Sequence, residues 1–128
     1  MRLLLDTHAL LWAVGAPDRL SESARAALLA DRNEVSLSIA SLWEVAIKVS
    51  LRRLELSPDW RALIDDGRAR MGARWLAVES NHCAQVAQLP WHHRDPFDRM
   101  LIAQAMCEGM TLISKDRAFA DYSAPVFW

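Results

Sequence analysis

The sequence predicts an α/β fold in which a short parallel sheet is covered by helices on both faces. Two observations lead there. Runs of strand length, near residues 2–5, 34–37, 75–78 and 110–113, alternate with longer segments of helical period. These runs are apolar rather than alternating, as strands buried on both sides are.

Leu3-Leu4-Leu5 makes the first strand, ended by Asp6. His8 to Val14 follows as a helical segment and stops at Gly15-Ala16-Pro17. Ser21 can cap a helix through about Ala30, with Ala24, Ala27 and Leu28 on one face. Glu34 to Leu37 is the second strand, residues 39–50 are helical, and Leu51 to Leu56 is a basic turn. Pro58 suits the first turn of another helix, which runs to about Met71 and stops at Gly72. Trp75 to Val78 is the third strand, and Ser80 opens a helix that ends by Pro90. Asp95-Pro96 starts a helix that reaches about Glu108 and is stopped by Gly109. Met110 to Ile113 is the fourth strand, Asp116 to Tyr122 a short helix, and Val126 to Trp128 an edge strand. With no repeat, low-complexity tract or linker, one domain over residues 1–128 is expected.

Hydrophobic residues make up 52% of the 128 and charged residues 24%, which excludes a disordered chain. The net charge is -1, so any contact with nucleic acid must come from a local basic patch or through metal ions bound to acids. The two cysteines, Cys83 and Cys107, have no metal-ligand spacing and read as small apolar helix residues. Asp6 interrupts the first apolar run too early for a signal peptide, and no stretch approaches the ~20 apolar residues of a membrane span. A reduced, cytoplasmic protein is expected.

In a parallel sheet, ligands bind beyond the carboxyl ends of the strands. Asp6 directly follows the first strand, Asp116 follows the fourth closely, Glu44 lies in the helix after the second, and Asp98 sits in the first turn of the helix from Pro96. Helix capping explains Asp6 and Asp116 equally well when each is taken alone. Asp95-Pro96-Phe97-Asp98 also reads as a helix start, with Asp95 as the cap. Ser41-Leu42-Trp43-Glu44 matches a capping box, and Lys48 offers Glu44 a helix ion pair. Yet Glu44 lies in an almost wholly apolar stretch, where a charge is seldom buried unless paired or bound to metal. Together the four acids would repel one another, and a divalent cation relieves that. A ligand set of oxygens without His or Cys selects Mg²⁺ or Mn²⁺, which suits phosphodiester hydrolysis.

Leu3-Leu4-Leu5-Asp6-Thr7-His8, Ser41-Leu42-Trp43-Glu44, Arg94 through Ala105, and Leu112-Ile113-Ser114-Lys115-Asp116 together resemble the successive motifs of PIN-domain proteins, most nearly the VapC-type toxins of bacterial toxin–antitoxin pairs. The likeness covers nearly the whole chain, and Arg94 to Ala105 is its most specific piece. It implies a three-layer α/β/α sandwich and a Mg²⁺- or Mn²⁺-dependent endoribonuclease. The family's four acids map onto Asp6, Glu44, Asp98 and Asp116, as metal ligands and catalytic groups. Its helping hydroxyls map onto Thr7 and Ser114, and Asp95 is a second candidate beside Asp98. The resemblance further implies a homodimer and a VapB-like antitoxin that lays an amphipathic segment in an apolar groove, for which Leu10, Leu11 and Trp12 are candidates.

Lys48, Arg52, Arg94 and Lys115 are candidate phosphate contacts, although a solvated charged face explains any one of them. His92-His93 reads as a loop or substrate contact, since two adjacent histidines do not make a metal site. Trp12 and Trp43 read as core, whereas Trp60, Trp75 and Trp91 suit an interface or base stacking. The competing functions are a DNA nuclease or phosphatase using the same acids, a non-catalytic PIN-like binding protein, and, last, a receiver-like domain.

Overall fold

The computed structural model describes residues 1–128. Five strands form one sheet: β1 (Arg2–Leu5), β2 (Glu34–Ser38), β3 (Arg74–Leu76), β4 (Thr111–Ile113) and β5 (Val126–Phe127). Their order is β3-β2-β1-β4-β5, and every neighbouring pair is parallel. Parallel pairs need long crossovers, which the helices supply. These are α1 (Thr7–Gly15), α2 (Glu22–Leu29), α3 (Ile39–Ser50), α4 (Trp60–Arg70), α5 (Ser80–Gln88) and α6 (Pro96–Glu108).

β1 lies at the centre, and its leucines show why the run has no polar face. Leu3 and Leu5 enter a core with Leu10 of α1, Leu28 of α2, Val45 of α3 and Ile64 of α4. Leu4, pointing the other way, enters a second core with Leu101, Ile102 and Ala105 of α6 and with Phe119 and Tyr122. The sheet is therefore sandwiched as expected, with α/β/α layering. No helix is long and apolar enough to cross a membrane.

Several boundaries differ from the sequence reading, each for a local reason. The expected capping box at Ser41 does not form. β2 runs straight into α3, and the cap is Ser38, whose Oγ accepts the Ala40 N–H at 3.0 Å. Ser41 and Glu44 are thus inside the helix, free to face another element. Pro58 stays in the turn before α4, which begins at Trp60, and β3 spans three residues rather than four. The expected helix over 116–122 is a 3₁₀ segment, Arg117–Asp121. Trp43 is not core: it is 63% exposed and meets Phe97 edge-on. Leu10 is fully buried, so it cannot line a docking groove, and Cys83 is exposed.

One polar residue ties the two halves of the future site. Gln104, fully buried on α6, accepts the Ser38 hydroxyl at 2.6 Å and donates to the Ala77 carbonyl at 3.3 Å. It holds the start of α3 and the end of the β3 segment against α6. Gln104→Leu keeps the volume but leaves Ala77 without its donor and Ser38 without its acceptor. The expected cost is about 1–3 kcal/mol, read as a lower urea midpoint at unchanged slope.

Candidate active site

β1 and β4 deliver two loops to the same rim, and Asp6 N–H donates to Ile113 O at 3.1 Å across them. Asp6 caps α1, with Oδ1 accepting the Ala9 N–H at 2.7 Å. Its Oδ2 accepts the hydroxyl of Ser114, itself 2% exposed. Capping and site placement, alternatives in the sequence, are both true of this residue. Burial pushes the Asp6 carboxyl above the usual range, and the bonds from Ser114 and Ala9 oppose that.

On the next helix over, Glu44 is 5% exposed. Oε1 accepts the Thr7 hydroxyl at 2.6 Å, and Oε2 lies 2.9 Å from Lys48 Nζ. Thr7 Oγ1 also lies 3.1 Å from Ser41 Oγ. The hydroxyls of Thr7 and Ser114 are therefore spent on carboxylates, which they orient.

α6 brings the third acid. Asp95 is its cap, with Oδ1 accepting the N–H groups of Phe97 and Asp98 at 2.8 and 2.9 Å. Asp98, one turn in, is half-buried. Its carboxyl is pushed up to about 7, first by burial and then by the charges of Asp95, Glu44, Asp6 and Asp116. Asp116, the most exposed of the four, starts the 3₁₀ segment by accepting the Ala118 N–H at 2.9 Å.

These acids face one another across a cavity of about 110 Å³ lined by Asp6, Thr7, His8, Glu44, Lys48, Asp95, Asp98, Asp116 and Phe119. Lys115 lines an adjoining recess with Asp6, His8, Trp12 and Asp116. Arg94 lies instead in a larger apolar recess of about 370 Å³, among Trp43, Trp91 and Phe97. Arg52 lines none of these; it follows the end of α3 with a left-handed backbone, φ 56°. Lys48 is the one basic side chain in the acidic cavity besides His8, and it pairs with Glu44, so most of the acidic charge stays uncompensated by protein. All-oxygen crowding of this kind fits a divalent cation, whose charge removes the repulsion.

Two residues in this region take places that the sequence reading did not give them. His93 sits with its imidazole beside Asp98 and Asp116, and the three can offer ligand atoms all within 4.8 Å of one another. The sequence reading gave this histidine to a loop or a substrate contact, and the fold sets it beside two of the four acids. Arg99 is 3% exposed, and its guanidinium donates to the carbonyls of Pro90 at 2.8 Å, Val86 at 3.2 Å, Leu89 at 3.3 Å and His93 at 3.4 Å. It lies 3.7 Å from the Trp91 ring centroid. One signal was available for Arg99: a charge that opens directly onto the apolar run Met100-Leu101-Ile102-Ala103 demands partners if the helix buries it.

A parallel sheet of this order with acids gathered at its carboxyl rim defines an α/β protein with an acidic rim site. The PIN domain model matches residues 3–125, and the chain belongs to the PIN domain family. It is 27% identical over 124 residues to ribonuclease VapC22 of Mycobacterium tuberculosis, covering 96% of this chain and 93% of that one. Among solved structures it is similar to a chain of VapBC2 from Rickettsia felis, bound to a DNA fragment from its promoter. That match has a TM-score of 0.77 at 17% identity and covers 99% of this chain and 98% of the other. A chain of VapBC-5 from Mycobacterium tuberculosis, a member of the VapBC family of toxin-antitoxin systems, matches with a TM-score of 0.59 at 21% identity. The match covers 98% of this chain and 95% of that one.

Two predictions rest on this geometry. Because the Asp98 carboxyl is raised to about 7, the folded protein binds more protons than the unfolded chain between about pH 4 and pH 7. Stability of the metal-free protein therefore falls as pH rises through that window. Asp98→Asn should flatten the fall, and added Mg²⁺ should raise Tm more at pH 8 than at pH 5, both read by thermal melts. Separately, Arg99→Lys keeps the charge but loses the planar fork that serves four carbonyls. It should cost about 3 kcal/mol in denaturant unfolding.

Proposed function

We propose that this protein is a divalent-metal-dependent endoribonuclease, the toxin of a toxin–antitoxin pair. The observation that carries the reading is the convergence of Asp6, Glu44, Asp98 and Asp116, from four separate elements, on one small cavity. Membership of the PIN family and the similarity to a ribonuclease support it.

These four acids would hold Mg²⁺ or Mn²⁺, whose chemistry is to activate water and to stabilise charge developing on the phosphate. The chain's own residues do the rest. Ser114 and the Ala9 N–H fix Asp6, and Thr7 and Lys48 fix Glu44, so neither carboxylate swings. Asp98 and Asp116 close the other side. Water attacks phosphorus in line, leaving a 5′-phosphate and a 3′-hydroxyl. Lys115, exposed in the recess that adjoins the cavity, holds a flanking phosphate.

The similarity to chains solved as VapBC complexes supports a VapB-like antitoxin as partner. Its amphipathic segment would rest on Leu11 and Trp12, which are half-buried, with Trp12 packed on Trp128 at 5.8 Å. The protein acts as a homodimer, and the apolar recess with Trp43 and Trp91, 63% and 76% exposed, is a face such an assembly would cover.

The test is cleavage of structured and single-stranded RNAs, with DNA and small phosphoesters alongside, in Mg²⁺, Mn²⁺ and EDTA. Cutting of RNA that needs metal should drop about a hundredfold or more in Asp6→Asn and in Asp98→Asn. Full activity in Asp6→Asn, or no cutting of any RNA by antitoxin-free protein that binds Mn²⁺, would overturn the reading.

A further inference from the structure

Resting on the reading of the acids as a metal centre, we infer that His93 is a ligand of that centre, giving it a nitrogen donor through Nε2 beside Asp98 and Asp116. The side chain is 9% exposed, and its ring is stacked on Phe119 with centroids 5.0 Å apart. Its Nε2 is shut off from solvent and has no hydrogen-bond partner. The nearest acidic atom, Asp116 Oδ2, is 3.6 Å away, too far for a hydrogen bond. A buried polar atom without a partner is costly, so something absent from the protein itself should satisfy it.

A cation fits the spacing. Two ligand atoms about 2.1 Å from one ion stand roughly 3.0 Å apart at a right angle and roughly 4.2 Å apart across it. The 3.6 Å between Nε2 and Asp116 Oδ2 falls between these. The Asp98 carboxylate completes a group whose ligand atoms all lie within 4.8 Å, so a small rotation of one carboxylate closes it.

The rest of the loop holds the ring in a ligating posture. Tyr122, 7% exposed, accepts the His93 backbone N–H at 2.7 Å, and its Oη lies 3.3 Å from Nδ1. A second proton donated from Nδ1 to that oxygen leaves the Nε2 lone pair free, the tautomer a metal requires. Arg99 holds the His93 carbonyl from below. The site is then three or four carboxylates plus one imidazole. Such a set favours Mn²⁺ over Mg²⁺ more than carboxylates alone do, because borderline nitrogen donors follow the transition-metal affinity order.

The experiment is Mn²⁺ titration followed by electron spin-echo modulation of the bound ion. Bound Mn²⁺ should show nitrogen modulation that His93→Gln abolishes and His8→Gln, at the histidine that lines the cavity, does not. Tyr122→Phe, which keeps the ring packing, should weaken Mn²⁺ binding about tenfold, and it carries the test if His93→Gln does not fold. Bound Mn²⁺ without nitrogen modulation, modulation that survives in His93→Gln, or unchanged affinity in Tyr122→Phe overturns the inference while leaving the carboxylate centre standing. Failure of wild type to bind Mn²⁺ at all overturns both.

Discussion

Carboxylates crowded at the end of a sheet repel one another, and burial makes each negative charge dearer still. The surroundings of Asp6, Glu44, Asp98 and Asp116 are organised to hold them together against that force. The restraint comes in layers. Asp6 is pinned by a helix N-terminus on one oxygen and a buried hydroxyl on the other. Glu44 is pinned by Thr7, the residue next to Asp6, so the two acids with the least room are coupled through one side chain.

The second tier lies behind the acids. Gln104 links the Ser38 cap of α3 to α6, which fixes the helix of Glu44 relative to that of Asp98. Arg99 gathers the end of α5 and the loop before α6 onto its guanidinium. Neither residue touches the cavity. Each sets the distance between elements that do, and a shift of an ångström there is a large change for a metal or a phosphate.

Much of this was legible in the sequence. The unbroken Leu3-Leu4-Leu5 run announced a central, doubly covered strand, and the strand-end rule located Asp6 and Asp116. Glu44 stood out because an apolar stretch cannot bury an unpartnered charge. What was not legible depends on tertiary contact. Ser41 followed by Glu44 satisfies a capping formula, but β2 enters α3 without a loop, and the formula was overridden. Trp43 carries the composition of a core residue on a face that the fold leaves open. His93 could be placed only by knowing that its loop folds back over Phe119 and Tyr122, which follow it by more than twenty positions.

The strand order has a bearing on timing. β1 and β4 lie far apart along the chain, yet they are direct neighbours, with Leu5 opposite Ile113. Asp6 acquires its Ser114 partner, and Asp116 its place beside His93, only after that long-range pair has closed. A ribosome extending this chain would release residues of β1, β2 and β3 while the cavity still lacked one wall. Non-local pairing of this kind forms late. The centre therefore closes only once the β4 segment has emerged, and a chain that stops short of it carries Asp6 and Glu44 without the site.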